Sequence, residues 1–115
     1  MSNFVKSGYE RVEGDFYPTI DPRPTIVIAE FIGNKDAVIV DVCAPDGSGI
    51  IDTLKSIGFS GTKMQADAFR PTIADWIVTN PPYTKGLVDK IMWAQYEKVS
   101  QGFVCGFAAL MRAGY

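Results

Sequence analysis

The sequence contains no histidine. That excludes Ser-His-Asp and Cys-His nucleophilic catalysis, a histidine general base and histidine-assisted zinc sites. Chemistry on this chain must rest on carboxylates, amides, hydroxyls, lysines, backbone groups or a cofactor. Cysteine is scarce as well. Cys43 and Cys105 form no CxxC pair, which removes a metal knuckle and a redox motif. Each lies in an apolar run, so both read as buried, reduced thiols. Positive charge is not in excess: Lys and Arg total 11 against 13 Asp and Glu, for a net charge of −2. No broad basic field exists to coat nucleic acid non-specifically, although a local contact site stays open. No apolar run approaches a membrane span, and Met1-Ser2-Asn3-Phe4-Val5-Lys6 lacks the apolar stretch of a signal peptide. The expectation is a soluble, cytoplasmic protein. At 115 residues the chain holds one domain at most, and 47% apolar residues are enough to exclude wholesale disorder.

Residues 1–15 are polar and read as a loose arm; residues 16–115 read as the domain. Pro24 suits the first turn of a helix through the apolar run Thr25–Ile32, with Gly33 and Asn34 as its stop. Ala37–Val42 is a β-branched run suited to a strand buried on both faces. It ends in the turn-rich loop Cys43-Ala44-Pro45-Asp46-Gly47-Ser48-Gly49. Ile50, Ile51, Leu54 and Ile57 then recur at helical spacing, with Gly58 as stop. Thr62–Ala66 reads as a second strand and Asp75–Thr79 as a third. Thr84 reads as the cap of a long helix to about Ser100, with Leu87, Val88, Ile91, Met92, Trp93, Tyr96 and Val99 as its apolar positions. Phe103–Leu110 reads as a last buried strand. Strands alternating with helices predict an α/β fold with a mainly parallel sheet flanked by helices.

Three places can carry chemistry. The loop from Asp41 to Gly49 joins a strand to a helix through glycines, so a ligand can approach the backbone there; a tight connection with no ligand gives the same pattern. Asn80-Pro81-Pro82-Tyr83 follows the third strand. Two prolines stiffen the turn and hold the Asn80 amide and a neighbouring carbonyl as acceptors facing one point. An amino group placed there would donate both hydrogens and direct its lone pair outward. Tyr83 offers a flat face to a planar ring; the alternative is a rigid strand stop. Asp67, at the end of the second strand, can accept from ribose hydroxyls or stand as a solvated carboxylate. Arg23, Arg70, Lys85 and Lys90 are scattered and define no site.

In this order, these residues resemble the S-adenosylmethionine-dependent adenine-specific DNA methyltransferases, especially small phage-type members involved in restriction-modification. Asn80-Pro81-Pro82-Tyr83 resembles the family's catalytic (D/N)PP(Y/F) motif. Val40–Gly47 resembles its glycine-rich cofactor motif. Phe16-Tyr17-Pro18-Thr19 resembles the segment that packs around the methionine part of the cofactor. The resemblance covers about residues 14–112. It implies a Rossmann-like class I methyltransferase core lacking the last strands, S-adenosyl-L-methionine as cofactor and DNA as partner. It further implies that Asp41, Ala44 and Gly47 line the methionine end of the cofactor and that Asp67 holds its ribose. Asn80 and the Pro81 carbonyl would bind the target amino group, Pro82 would stiffen the turn, and Tyr83 would stack on an extruded adenine. Methyl transfer to nitrogen needs alignment and charge placement more than a strong base, which suits a chain without histidine.

The sequence also departs from the family. Val42 stands where proline is frequent, and Pro45 where the first glycine of the loop is usual. Twelve residues separate Asp67 from Asn80, where the family fits another strand. The last strand then becomes an edge of apolar composition, and either self-association through it or a longer protein of which this chain is a fragment is expected. Two other readings stay open: a methyltransferase acting on RNA or on protein glutamine, and a non-catalytic, truncated Rossmann-like binding module.

Overall fold

The computed structural model of the protein describes residues 21–111. The arm at 1–15 and the tract Phe16-Tyr17-Pro18-Thr19 lie outside the described residues.

The β-branched run forms β1 (Val38–Asp41) at the centre of a parallel four-stranded sheet ordered β2-β1-β3-β4. Its partners are β2 (Gly61–Met64) on one side and β3 (Ala74–Thr79) on the other, with β4 (Val104–Ala109) outside β3. Both faces of β1 are covered. Ile39 packs with Ile50, Ile51, Leu54, Phe59 and Val78, while Val40 packs with Val42, Ala68, Ile77, Ile91 and Val104. This is why the run lacks the alternation of a half-solvated strand. Gly61 on β2 has a specific reason: a Cβ there would stand 2.9 Å from the Ala37 carbonyl oxygen.

Helices α1 (Arg23–Ile32) and α2 (Gly49–Ser56) cover one face and α3 (Leu87–Ser100) the other. Pro24 falls in the first turn of α1, as its fixed φ predicts, and Asp21 accepts from the Arg23 N–H at 3.0 Å. Gly33 ends the helix at φ 76°. In α2 the aliphatic side chains Ile50, Ile51 and Leu54 are buried, each contributing about 1.5–3 kcal/mol. Asp75 lies near the start of β3 and accepts from Val38 N–H at 2.7 Å, tying it to the central strand.

Three expectations are corrected. Cys43 is buried but Cys105 is exposed, because β4 is an edge. Thr84 does not cap α3: Gly86 occupies that position, and the Thr84 carbonyl, not its hydroxyl, accepts from Leu87 and Val88 N–H. The inward residues of α3 are Val88, Ile91, Gln95 and Lys98. Trp93 and Tyr96 point outward and stack on each other with ring centroids 5.1 Å apart. Two polar residues displace two aromatics from the interior, and the connection from β2 to β3 explains why.

That connection, residues 65–73, contains neither helix nor strand and passes over β1 between the sheet and α3. Parallel strands are usually joined through a helix that satisfies its own backbone. Here α3 supplies the missing donors. Gln95 Nε2 donates to the Ala68 carbonyl at 3.0 Å. Lys98 Nζ donates to that carbonyl at 2.9 Å, to Thr72 Oγ1 at 3.0 Å and to Gln95 Oε1 at 2.9 Å. Burial pushes the Lys98 ammonium down from the usual lysine value.

Candidate functional site

The chain leaves β1 through α2 toward β2 and leaves β3 through α3 toward β4, on the opposite side and the opposite face. The loops after β1 and β3 therefore part at the carboxyl ends of two adjacent strands. In open α/β sheets this is the switch point at which a crevice forms. The β1–β3 register ends at Val40↔Ile77, and just beyond it Thr79 and Asp41 are hydrogen-bonded, so the two loops start from the same rim.

Asp41, the last residue of β1, is 3% exposed and holds the two loops together. Its Oδ1 accepts from Thr79 Oγ1 at 2.6 Å and from Cys43 N–H at 3.1 Å; its Oδ2 accepts from Ser48 Oγ at 2.7 Å. Burial raises the Asp41 pKa, and the Thr79, Ser48 and Cys43 bonds pull it back. Ser48 in turn caps α2, accepting from Ile51 N–H at 3.0 Å. One carboxylate thus fixes the end of β3, the turn after β1 and the start of α2. Burial pushes the neighbouring Cys43 thiol up to about 11.

Ala44 is buried and its N–H donates to the Gln65 carbonyl at 3.0 Å, extending the β1–β2 ladder past the strands. Gly47 is exposed at φ 133°, and a Cβ added there would meet nothing within 4 Å. The backbone at Gly47 is thus open to close approach. Asp67 stands on the exposed turn after β2, its Oδ1 accepting from Phe69 N–H at 2.9 Å.

On the other wall, Pro81 is fully buried, and Asn80 and Pro82 are half-buried. Tyr83 is 7% exposed, and its hydroxyl donates to Asn80 Oδ1 at 2.9 Å, with the Leu110 carbonyl at 3.3 Å. The ring expected to offer a face to a planar ligand is packed into the protein here, and its hydroxyl rests on the amide expected to receive an amino group. Stacking on a base requires the ring to swing outward.

The rim therefore brings together Asp41, Ala44, Gly47 and the Asn80–Tyr83 turn, with Asp67 on the next strand over. Sequence reasoning missed Ser48 and Thr79. Ser48 carried a readable signal, a serine just before the apolar helical pattern. Thr79 carried none, since only the fold brings it to Asp41. A separate hollow of about 310 Å³ lies along the C-terminal half of α3, against Phe69, Pro71, Ile73 and Phe103. It includes none of the candidate site residues, and the switch-point rim is the candidate site on the strength of its chemistry. Among the described residues, no group of three or more His, Cys, Asp or Glu side chains is placed to hold a metal ion. No helix there is long and apolar enough to cross a membrane.

Comparison with protein-family models, with curated proteins and with solved structures returns no match for this chain.

Proposed function

We propose that this chain is an S-adenosylmethionine-dependent methyltransferase that acts on the exocyclic amino group of adenine in DNA, built on a Rossmann-like class I core. One observation carries the reading: the Asn80-Pro81-Pro82-Tyr83 turn and the Asp41–Gly47 loop share one rim at the switch point, tied by the Thr79–Asp41 hydrogen bond. A methyl donor in one loop and an amino acceptor in the other would meet there.

The residues present fit the cofactor in two respects. Gly47 leaves its backbone uncovered, and Asp67 is an exposed carboxylate on the same rim, able to accept from ribose hydroxyls. When bound, the cofactor supplies an electrophilic sulfonium methyl carbon. The chain's own work is alignment. Pro81 and Pro82 fix the turn, so Asn80 Oδ1 and the Pro81 carbonyl can each accept one N–H of the target amine. That arrangement would hold the amino group so that its lone pair, perpendicular to the ring plane, is free to form the new C–N bond as the C–S bond of the cofactor breaks; the thioether would be the leaving group, and the methylated nitrogen would lose one proton to water. Tyr83 must release Asn80 Oδ1 first, and the same movement exposes its ring for stacking on the extruded base.

One observation favours a second reading, a non-catalytic Rossmann-like binding module: both Asp41 oxygens and Asn80 Oδ1 accept from internal donors.

Thermal melting with S-adenosylmethionine and with its demethylated product tests the cofactor claim. A ligand present at a hundred times its Kd adds about 2.7 kcal/mol, a rise in Tm of about 10 °C for a domain this size. Transfer of a labelled methyl group to DNA, RNA and protein pools then identifies the substrate. The expected acceptor is DNA. No shift at millimolar ligand overturns the proposal, and a shift without transfer to any pool supports the binding module.

A further inference from the structure

Among the described residues the sheet has two edges, and they differ. The β2 edge carries the exposed Lys63. The β4 edge, Val104-Cys105-Gly106-Phe107-Ala108-Ala109, has no charge and no proline. Its register with β3 runs at a constant offset from Ala74↔Val104 to Thr79↔Ala109, so no bulge turns it away. Charge, proline and bulges are the devices by which sheets protect their edges, and β4 has none of them.

Apolar surface continues from this edge onto both faces. On the α1 side the Trp76 ring lies over Gly106, so closely that a Cβ there would be 3.0 Å from Cζ3. Phe31, 77% exposed, meets Trp76 edge-on at 5.8 Å. On the α3 side, Ala94, Lys98 and Gln101 look toward the 65–73 segment over β1. Helical geometry puts Met92, Tyr96 and Val99 on the opposite flank, toward β4. Tyr96 and its stacked neighbour Trp93 are both more than half exposed.

We propose that β4 is the contact strand of a symmetric dimer, in which a second copy adds its own β4 antiparallel across a two-fold axis through Gly106. The charge pattern suits a second copy. Phe103–Leu110 is uncharged, so self-pairing sets no like charges opposite one another, whereas pairing through β2 would bring the two Lys63 ammonium groups toward each other. A two-fold axis normal to the sheet keeps both α3 helices on one face. It sets the Met92–Tyr96 flank of one copy toward that of the other, an aromatic surface of the kind that fills interface centres. The axis pairs Cys105 with Phe107 and Val104 with Ala108. The two Cys105 residues become diagonal neighbours, roughly 7–8 Å apart. This inference does not rest on methyl transfer.

Light scattering during gel filtration at micromolar concentration, combined with a short thiol-to-thiol cross-linker, tests it. The expected result is a dimer that cross-links through Cys105. Cys43 is buried and its thiol is pushed up to about 11, so it does not compete for the reagent. Cys105→Ser should keep the dimer and lose the cross-link. Cys105→Lys, at an exposed position, should weaken the dimer at least tenfold; if that variant fails to fold, cross-linking of the unaltered chain decides. A monomer at about 100 μM overturns the proposal, as does a dimer that neither cross-links at Cys105 nor responds to Cys105→Lys. A monomer whose Cys105 is shielded from the reagent also overturns it, and shows another segment of the chain lying on the edge.

Discussion

The Thr79 hydroxyl donates to Asp41 Oδ1 at 2.6 Å, joining the ends of two adjacent parallel strands at the switch point where their loops part. A hydrogen bond from a buried hydroxyl to a carboxylate is worth about 1.5–3 kcal/mol. Thr79→Val keeps the shape and removes the donor. Denaturant unfolding at neutral pH should show a loss in that range. The loss should shrink when Asp41 is protonated in acid, because the bond favours the ionised form. An equal loss at both pH values would mean that the valine fails by packing alone.

Asp41 itself sets a pH dependence. Burial is the largest influence on it and raises its pKa in the folded protein. The folded state therefore holds the proton more tightly than the unfolded chain. The stability this provides is complete below the ordinary carboxylate value, about 3.9, and is lost as pH rises through the folded value. Asp41→Asn stays neutral and lacks this loss. Unfolding curves of the two proteins should shift in favour of Asp41→Asn as pH is raised from about 4. Parallel curves would show that Asp41 titrates alike in both states.

Tyr83 and Asn80 are expected to separate in function. Tyr83→Phe removes the hydroxyl that rests on Asn80 Oδ1 and keeps the ring. Its stability cost should be about 0.5–1.5 kcal/mol, with methyl transfer retained. Asn80→Ala should abolish transfer while cofactor binding persists. Single-turnover transfer and cofactor titration on both variants provide the check. A Tyr83→Phe enzyme as inactive as Asn80→Ala would place the hydroxyl on the substrate.

Lys98 secures the segment between β2 and β3. Lys98→Met retains the length of the side chain but leaves Thr72 Oγ1 and Gln95 Oε1 without their donor. The expected cost is about 1–3 kcal/mol. Burial lowers the Lys98 pKa, so the folded state releases that proton more readily than the unfolded chain. The stability of the parent protein relative to Lys98→Met should rise with pH from the folded value up to about 10.4. A constant difference over that range would place Lys98 in water rather than in the interior.

Much of the fold was legible because it is local. Val38, Ile39, Val40 and Val42 are β-branched, and β1 formed within that run, at Val38–Asp41; Pro24, Gly33 and Gly58 punctuate the helices where their backbone preferences say they should. What was not legible depends on partners far away in sequence. Lys98 looks like a surface charge until the Ala68 carbonyl, thirty residues earlier, appears above it needing a donor. Filling the inward face of α3 with Gln95 and Lys98 turns Trp93 and Tyr96 outward, which no periodicity count reveals. At the site, the Asn80–Tyr83 turn and the Asp41–Gly47 loop were readable from residue type and spacing. The Thr79–Asp41 bond and the inward packing of Tyr83 were not, because both depend on how neighbouring strands end.

The order of the strands also bears on how the chain folds as it is made. The central strand β1 emerges from the ribosome first, and its neighbours follow only at residues 61–64 and 74–79. Val78 is the last of the fully buried residues in the cluster beneath the first two helices. The N-terminal two-thirds of the protein therefore remains without a finished interior until β3 has left the ribosome, and a nascent chain stalled before that point should be readily cleaved by protease.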